Sequence, residues 1–181
     1  LFTQTLFWLL FGFVLLAYQL IHRQIPIRNF FLLIFSLYFY YLSSGYFFLL
    51  LLFSTLLDYV LGHQIYQAKS TQAKKIYVTI SVVINLAVLA YFKYTFFFVD
   101  SINTVLNTEF AQTDYLSVFA NWAMNNNHFD TSSIFLPVGV SFFTFQTISY
   151  SIDVYREKLK PVNSILDFAF YVSFFPQLVA G

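Results

Sequence analysis

The sequence is poor in charge and contains no cysteine. Only 9% of its 181 residues are charged, whereas a soluble domain carries about 25% charged residues. So few charges cannot cover a water-facing surface on a chain of this length, and lipid must therefore contact much of it. The missing cysteine excludes disulfides, thiol chemistry and cysteine-ligated metals. A net charge of +1 with scattered basic residues gives no indication of nucleic-acid binding.

Familiar catalytic motifs are missing as well. The sequence has no glycine-rich phosphate loop, no cluster of metal ligands and no serine–histidine arrangement. His22 and His63 lie beside basic segments and His128 follows three asparagines, so a solvated role is expected for all three. We expect neither a metal site nor a bound cofactor in this chain.

Hydrophobic residues, by contrast, make up 59% of the chain, and they fall into six segments. These are Phe2–Ile21, Phe30–Leu42, Tyr46–Leu61, Ile76–Val99, Ile134–Val154 and Ile165–Ala180. The first has neither the basic start nor the cleavage site of a signal peptide, which predicts a retained helix. The second and third are short for a bilayer core, and predict either a tight helical hairpin or one bent element. The expected fold is an all-α integral membrane protein, a polytopic helical bundle.

The distribution of basic residues predicts an orientation for six crossings. Loops that alternate sides place eight of the nine Lys and Arg residues on one side, which is then cytoplasmic. These eight are Arg23, Arg28, Lys69, Lys74, Lys75, Arg156, Lys158 and Lys160. The loop on the other side, about 100–133, has acidic residues and no Lys or Arg. Its stretch Phe110–Met124 is expected either to lie along the outer membrane interface or to cap the bundle as an ordered loop.

The segment Ile134–Val154 has two polar faces. Gln146, Tyr150 and Asp153 recur at steps of four and three, which places them on one side of a helix. Small hydroxyl residues recur in the same way on roughly the opposite side, namely Thr144, Thr147 and Ser151. Such a helix is expected to be buried, with the hydroxyls against a neighbouring helix and the larger polar groups towards a cavity or partner. For Asp153 a pairing with Arg156 at the cytoplasmic interface is an equally good alternative.

Two further polar residues lie in hydrophobic segments. Lys93 is expected either to extend towards the outer headgroups or to face an interior cavity together with Asn85. Gln177 follows Pro176 in the last segment, where the proline would free the carbonyl of Val172 and kink the helix. A simple kink and a polar cavity wall are both compatible with this pattern.

Several motifs resemble those of a known family. Residues 136–156 read LPVGVSFFTFQTISYSIDVYR, and residues 174–181 read FFPQLVAG. Shorter matches are YFYY at 38–41, Asp58-Tyr59, Asn85-Leu86 and YFKY at 91–94. These motifs and their order along the chain resemble those of the membrane-bound O-acyltransferase family. The similarity is greatest to the branch that contains alginate O-acetyltransferases and the proteins of teichoic-acid D-alanyl transfer.

The resemblance implies a fold and an activity. The chain, 1–181, would be the N-terminal part of one transmembrane acyltransferase domain in the plasma or inner membrane, with the family's catalytic histidine expected beyond Gly181. The full protein would pass an acyl group, from acetyl-CoA or another cytoplasmic thioester, through a tunnel towards a hydroxyl of an exported polysaccharide. An outer-side acetyltransferase could be its partner. The residues expected to line the tunnel or orient substrate are Lys93, Gln146, Tyr150, Asp153 and Gln177.

Two alternatives remain open at this point. The same family would allow D-alanyl transfer to teichoic acid, in which a carrier protein would supply the acyl group. A transporter or channel subunit could use the same polar interior without any chemistry. The sequence shows no internal repeat, although transporters often have one.

Overall fold

The computed structural model describes residues 5–108, 110, 113–123, 130–131, 134 and 136–180. Within these ranges the regular structure is helical, with no strand. A 3-10 turn, Gly45–Phe47, joins the second and third helices. The helices are α1 Thr5–Ile21, α2 Ile25–Ser44, α3 Phe48–Gln67, α4 Thr71–Leu106, α5 Tyr115–Ala123, α6 Val140–Tyr155, α7 Ile165–Ser173 and α8 Phe175–Ala180.

Two helical stretches are long and apolar enough to cross a membrane. They are Ile25–Gln67, which contains α2 and α3, and Thr71–Leu106, which is α4. Large apolar side chains such as Phe53, Leu56 and Val83 are exposed along them. Since lipid accepts such a surface and water does not, these helices are typical of a membrane protein.

The second and third hydrophobic segments are longer than the sequence predicted. α2 and α3 each contain 20 residues, and a helix of about 20 residues spans a bilayer core of about 30 Å. α2 begins at Ile25 with a proline in its first turn, where the missing N–H has no helical partner. It ends at Ser44 and is capped by Gly45, whose φ of 58° suits glycine and whose N–H donates to the carbonyl oxygen of Tyr41. Two full helices therefore replace the predicted short pair.

The last hydrophobic segment is broken into two helices. α7 is capped by Ser164, the residue before its start, whose hydroxyl accepts from the backbone N–H of Asp167 at 3.3 Å. It ends at Ser173, and α8 begins at Phe175 with Pro176 in its first turn. The sequence predicted an interruption at Pro176, either a simple kink or broken backbone, and the structure has a break: the chain leaves the helix at Phe174 and starts a new one.

The chain forms two compact units. The first combines Leu1–Asn85 with Val138–Gly181, and the second is Leu86–Pro137, so that α4 contributes to both. In the first unit α3 packs on α6, and α2 and α3 pack on α7. Its core contains fully buried apolar residues from these helices, namely Leu51, Ile65, Phe143, Phe168 and Val172.

The second unit contains the end of α4 and the short helix α5. Asp114 precedes α5 and is completely buried. Its carboxylate accepts from the Tyr91 hydroxyl at 2.5 Å and from the backbone N–H groups of Leu116 and Ser117 at 3.0 and 3.3 Å. Asp114 therefore caps α5 and ties it to α4.

The boundaries of the outer loop also differ from the prediction. α4 continues to Leu106, so the first residues of the predicted loop 100–133 are helical. Within the loop, α5 exposes the rings of Phe119 and Trp122, whose centroids are 5.8 Å apart. An exposed aromatic pair of this kind is typical of a helix at a membrane interface. Four residues named in the sequence analysis lie outside the described residues, namely Phe2, Met124, His128 and Gly181.

Candidate functional site

The hydroxyl face of α6 is buried against α3 and α4. Thr144, Thr147 and Ser151 are each 0% exposed. Their spacing of three and four residues places them in one row along the helix. The burial of this hydroxyl face against neighbouring helices is as predicted from the sequence. Thr147 and Ser151 have hydrogen-bond partners on those helices, whereas the hydroxyl of Thr144 has none among the described residues.

The centre of these contacts is Asp58 of α3, which is completely buried. Its Oδ1 accepts from the hydroxyl of Ser81 on α4 at 2.5 Å and from that of Ser151 on α6 at 3.3 Å. Its Oδ2 accepts from the side-chain amide of Asn85 on α4 at 2.7 Å. One carboxylate therefore holds donors from two other helices, which offsets the penalty of burying it.

A second contact joins α6 to α4 beside Asp58. The hydroxyl of Thr147 shares its hydrogen between Oδ1 of Asn85 at 3.2 Å and the carbonyl oxygen of Thr144 in its own helix at 3.1 Å, and Asn85 is only 1% exposed. Asn85 thus donates to α3 and accepts from α6. We refer to Asp58, Ser81, Asn85, Thr147 and Ser151 as the Asp58 cluster.

Sequence reasoning named Asp58 only as part of a family motif and omitted it from the candidate site. The predicted segment ended at Leu61, which left the carboxylate near a loop. α3 instead runs to Gln67, so Asp58 lies near the middle of the helix. An acidic residue inside a hydrophobic helix is itself a signal for a functional or paired group. The correct helix boundary would have revealed it.

The other polar face of α6 meets α7 at Gln146. Its side-chain amide nitrogen donates to the carbonyl oxygen of Tyr171 at 3.0 Å. Its Oε1 is buried and has no hydrogen-bond partner in the described part of the protein. A buried acceptor without a donor is unfavourable, which makes this oxygen available to a hydroxyl or amide of a ligand.

Tyr150, one turn further along the same face, is 5% exposed and fixed on three sides. Its ring centroid is 4.4 Å from that of Phe168 on α7. Its hydroxyl accepts from the backbone N–H of Val162 at 3.3 Å, and Gly62 of α3 lies against its ring. This side chain therefore connects α3, α6, α7 and the segment that joins α6 to α7.

Gln177 lies at the break between α7 and α8. Together with Phe170, Tyr171 and Phe174 it lines a cavity of about 270 Å³. Since Tyr171 also accepts the hydrogen bond from Gln146, the structure brings two of the predicted residues to one region. Both are amides, which donate and accept and so suit a hydroxyl-rich or carbonyl ligand.

Asp153 and Lys93 are placed elsewhere. Asp153 is half-buried near the end of α6, and its backbone carbonyl oxygen accepts from Lys158 at 3.0 Å. Among the described residues its side chain forms no ion pair with Arg156. Lys93 belongs to the second unit, is exposed, and has its Nζ 5.8 Å from the ring centroid of Tyr94. Their roles as tunnel residues stay predictions.

The basic loops of the first unit are connected by one ion pair. Nζ of Lys74 lies 2.6 Å from Oε1 of Glu157, and this contact joins the start of α4 to the segment after α6. The hydrogen bond and the positive charge of Lys74 lower the pKa of Glu157 below its ordinary value. Arg156, Lys158 and Lys160 around it are exposed. This side of the unit is thus strongly cationic.

The fold and the site define a class of protein: within the described residues it is a helical protein with two long apolar stretches and buried polar contacts between its helices. No family model matches the chain. No solved structure matches it either. Within the described residues no group of three or more His, Cys, Asp or Glu side chains could hold a metal ion.

The chain is, however, similar to several curated proteins. Over 128 residues, 70% of the chain, it is 38% identical to the "probable alginate O-acetylase AlgI" of Azotobacter vinelandii, of which it covers 23%. The protein of the same name from Pseudomonas aeruginosa is also 38% identical over 70% of the chain and 22% of that relative. A peptidoglycan O-acetyltransferase of Helicobacter pylori is 29% identical in an alignment 152 residues long, which covers 71% of the chain and 25% of the relative.

Over 70% of its length the chain is similar to proteins named for O-acetylation, which agrees with its resemblance to the membrane-bound O-acyltransferase family. It spans about a quarter of the length of the curated relatives that it matches. Both kinds of relative are named for O-acetyl transfer, one with alginate and the other with peptidoglycan.

Proposed function

We propose that the protein containing this chain is a membrane O-acetyltransferase that modifies hydroxyl groups of a cell-surface polysaccharide. The observation that carries the proposal is the 38% identity over 128 residues to proteins named for alginate O-acetylation. The peptidoglycan O-acetyltransferase adds a second relative with the same kind of chemistry on another polysaccharide. The acyl donor would be acetyl-CoA or another thioester on the cytoplasmic side.

The geometry of α6 supports a role in orienting substrate. Gln146 has its amide nitrogen fixed by the carbonyl oxygen of Tyr171, which leaves Oε1 buried and free to accept a hydrogen bond. An acceptor hydroxyl could donate to that oxygen and be held for attack on a thioester carbonyl. The general base would be the family histidine expected beyond Gly181. The residues of this chain would orient and polarise the reacting groups of the substrates.

The proposed topology has six crossings with the basic loops in the cytoplasm. The cationic side formed by Arg156, Lys158 and Lys160 would then face the acyl donor. Residues 1–181 contain no cysteine, so single cysteines at positions 69, 107 and 158 can be labelled in intact cells once any cysteine elsewhere in the protein is replaced. Labelling of position 107 alone by an impermeant reagent is expected. Labelling of position 158 from outside would contradict this topology.

The activity is tested by complementation. A bacterial strain that lacks the endogenous gene would receive the full-length protein, and the acetate released by mild base from its purified polysaccharide would be measured. Restored O-acetylation is expected. D-Alanine on teichoic acid instead of acetate, or solute flux in proteoliposomes without acyl transfer, would replace the proposal by one of the two alternatives.

Gln146→Ala is the variant that tests the site. The loss of a hydrogen bond to the reacting hydroxyl is expected to lower the transfer rate by about tenfold or more at unchanged protein level. Gln72→Ala is the matched control, because Gln72 is exposed near the start of α4. Equal transfer by both variants would remove Gln146 from the site.

A further inference from the structure

We propose that Asp58 is a positioning residue for acyl transfer. Through its hydrogen bonds it fixes the rotation of α6, and with it the direction of Gln146 and Tyr150. The inference rests on the proposed function, since it concerns the site to which those two residues belong. No substrate contact is assigned to Asp58.

The first argument is the registry between α3 and α6. Asp58 and Gly62 are four residues apart and therefore lie on one face of α3. Asp58 accepts from Ser151, while Gly62 lies against the ring of Tyr150, the residue immediately before it. The same face of α3 thus holds one side of α6 by hydrogen bonding and the adjacent side by close packing.

The second argument is that α4 holds the same face of α6. Ser81 and Asn85 are four residues apart on α4, and both donate to Asp58. Thr147 and Ser151 are four residues apart on α6; Thr147 donates to Asn85 and Ser151 to Asp58. Because hydrogen bonds depend on direction, a rotation of α6 by one residue would remove both contacts.

The third argument is burial. Every side chain of the Asp58 cluster is at most 1% exposed, so water does not replace a lost partner. Both oxygens of Asp58 already accept from Ser81, Ser151 and Asn85, and no basic side chain is among these donors. A carboxylate that is enclosed and occupied in this way acts on the reaction only through the helices that it holds.

The experiment compares hydroxyl deletions in the full-length protein in membranes. Thr147→Val and Ser151→Ala are expected to lower kcat by about fivefold or more, while KM for the acyl donor stays within about twofold. Thr55→Val is the matched control, because the hydroxyl of Thr55 is buried but donates only to the carbonyl of Leu51 in its own helix. If all three variants transfer alike at equal folded yield, the proposal is wrong.

Asp58→Asn and Asp58→Leu separate positioning from charge. The carboxamide introduced by Asp58→Asn can accept from Asn85 and donate to the two serine hydroxyls, so this variant is expected to keep at least about half of kcat. Asp58→Leu removes every hydrogen bond and is expected to abolish transfer. A folded Asp58→Asn protein without activity would show that the charge itself acts in the reaction, which would overturn the positioning role.

A labelling measurement that does not require acyl transfer tests the positioning role of Asp58 separately from the proposed function. A single cysteine introduced as Gln146→Cys reports on the orientation of α6 through its rate of thiol labelling. Thr147→Val and Ser151→Ala in that background are expected to change the rate, whereas Thr55→Val is not. If the rate changes and no acetyl transfer is found in any variant, only the proposed function fails. A constant rate contradicts the role of the Asp58 cluster.

Discussion

Gly62 on α3 lies so close to the ring of Tyr150 on α6 that no side chain could stand between them. A Cβ at position 62 would be 2.8 Å from both Cε1 and Oη of that ring. The ring itself packs on Phe168 with centroids 4.4 Å apart, which limits its retreat. The absence of a side chain at Gly62 therefore decides how closely these two helices approach.

Gly62→Ala is expected to destabilise the protein. Overpacking of this kind costs about 1–3 kcal/mol, because Tyr150 must leave its position or the two helices must separate. Thermal unfolding in detergent measures the loss. Gly12→Ala is the control, since nothing lies within 4 Å of a Cβ there and alanine favours the middle of a helix. Equal stability of the two variants would contradict the close approach.

Gly139→Ala is expected to be the most damaging glycine substitution. Gly139 has a φ of 71°, and a Cβ there would be 2.5 Å from the carbonyl oxygen of Leu178. The backbone conformation alone costs an alanine about 1–2 kcal/mol, and the contact with a backbone atom adds to it.

Gly45→Ala isolates the conformational part of that effect. Gly45 has a φ of 58° but nothing within 4 Å of a Cβ. The folded yield after detergent extraction should therefore fall clearly further for Gly139→Ala than for Gly45→Ala. A similar yield for both would show that α8 moves aside without penalty.

Asp114→Ala is expected to unwind the first turn of α5. The carboxylate of Asp114 accepts from the backbone N–H groups of Leu116 and Ser117, and loss of such a cap costs about 0.5–2 kcal/mol. Hydrogen exchange of these two amides should become faster. Asp100→Ala, at an exposed position of α4, should leave their exchange unchanged. Unchanged exchange in Asp114→Ala would contradict the cap.

The ion pair of Lys74 and Glu157 is expected to be lost at acid pH. The pKa of Glu157 is lowered in the folded protein. The ion pair therefore contributes fully to stability at pH values above the ordinary pKa of a glutamate carboxyl. It is lost as the pH falls through the lowered pKa. NMR titration with labelled glutamate should show the pKa of Glu157 rise in Lys74→Met. An unchanged titration would mean that the pair does not persist in solution.

Little stability should be lost with this pair. Glu157 is largely exposed, with a relative side-chain exposure of 72%, so water and salt screen the interaction. The expected effect of Lys74→Met on thermal unfolding is accordingly small, and the titration is the more sensitive measurement.

Some features of the protein follow from the sequence alone. Low charge and long apolar runs predict membrane helices, because lipid and water select different surfaces. The spacing of Thr144, Thr147 and Ser151 predicts a shared helix face, since the helical period fixes which side chains lie together. The motif of residues 136–156 indicates the family by its residues and their order.

Other features were decided by the tertiary structure. The helical period states which residues share a face, but not which face of another helix they meet. For this reason Asp58, Ser81 and Asn85, separated in sequence from Ser151, become one cluster only when α3, α4 and α6 pack. The break at Phe174 has the same origin, since the carbonyl of Leu178 in α8 lies where Gly139 leaves space for it. Contacts between distant segments require packing, and packing is not encoded in local periodicity.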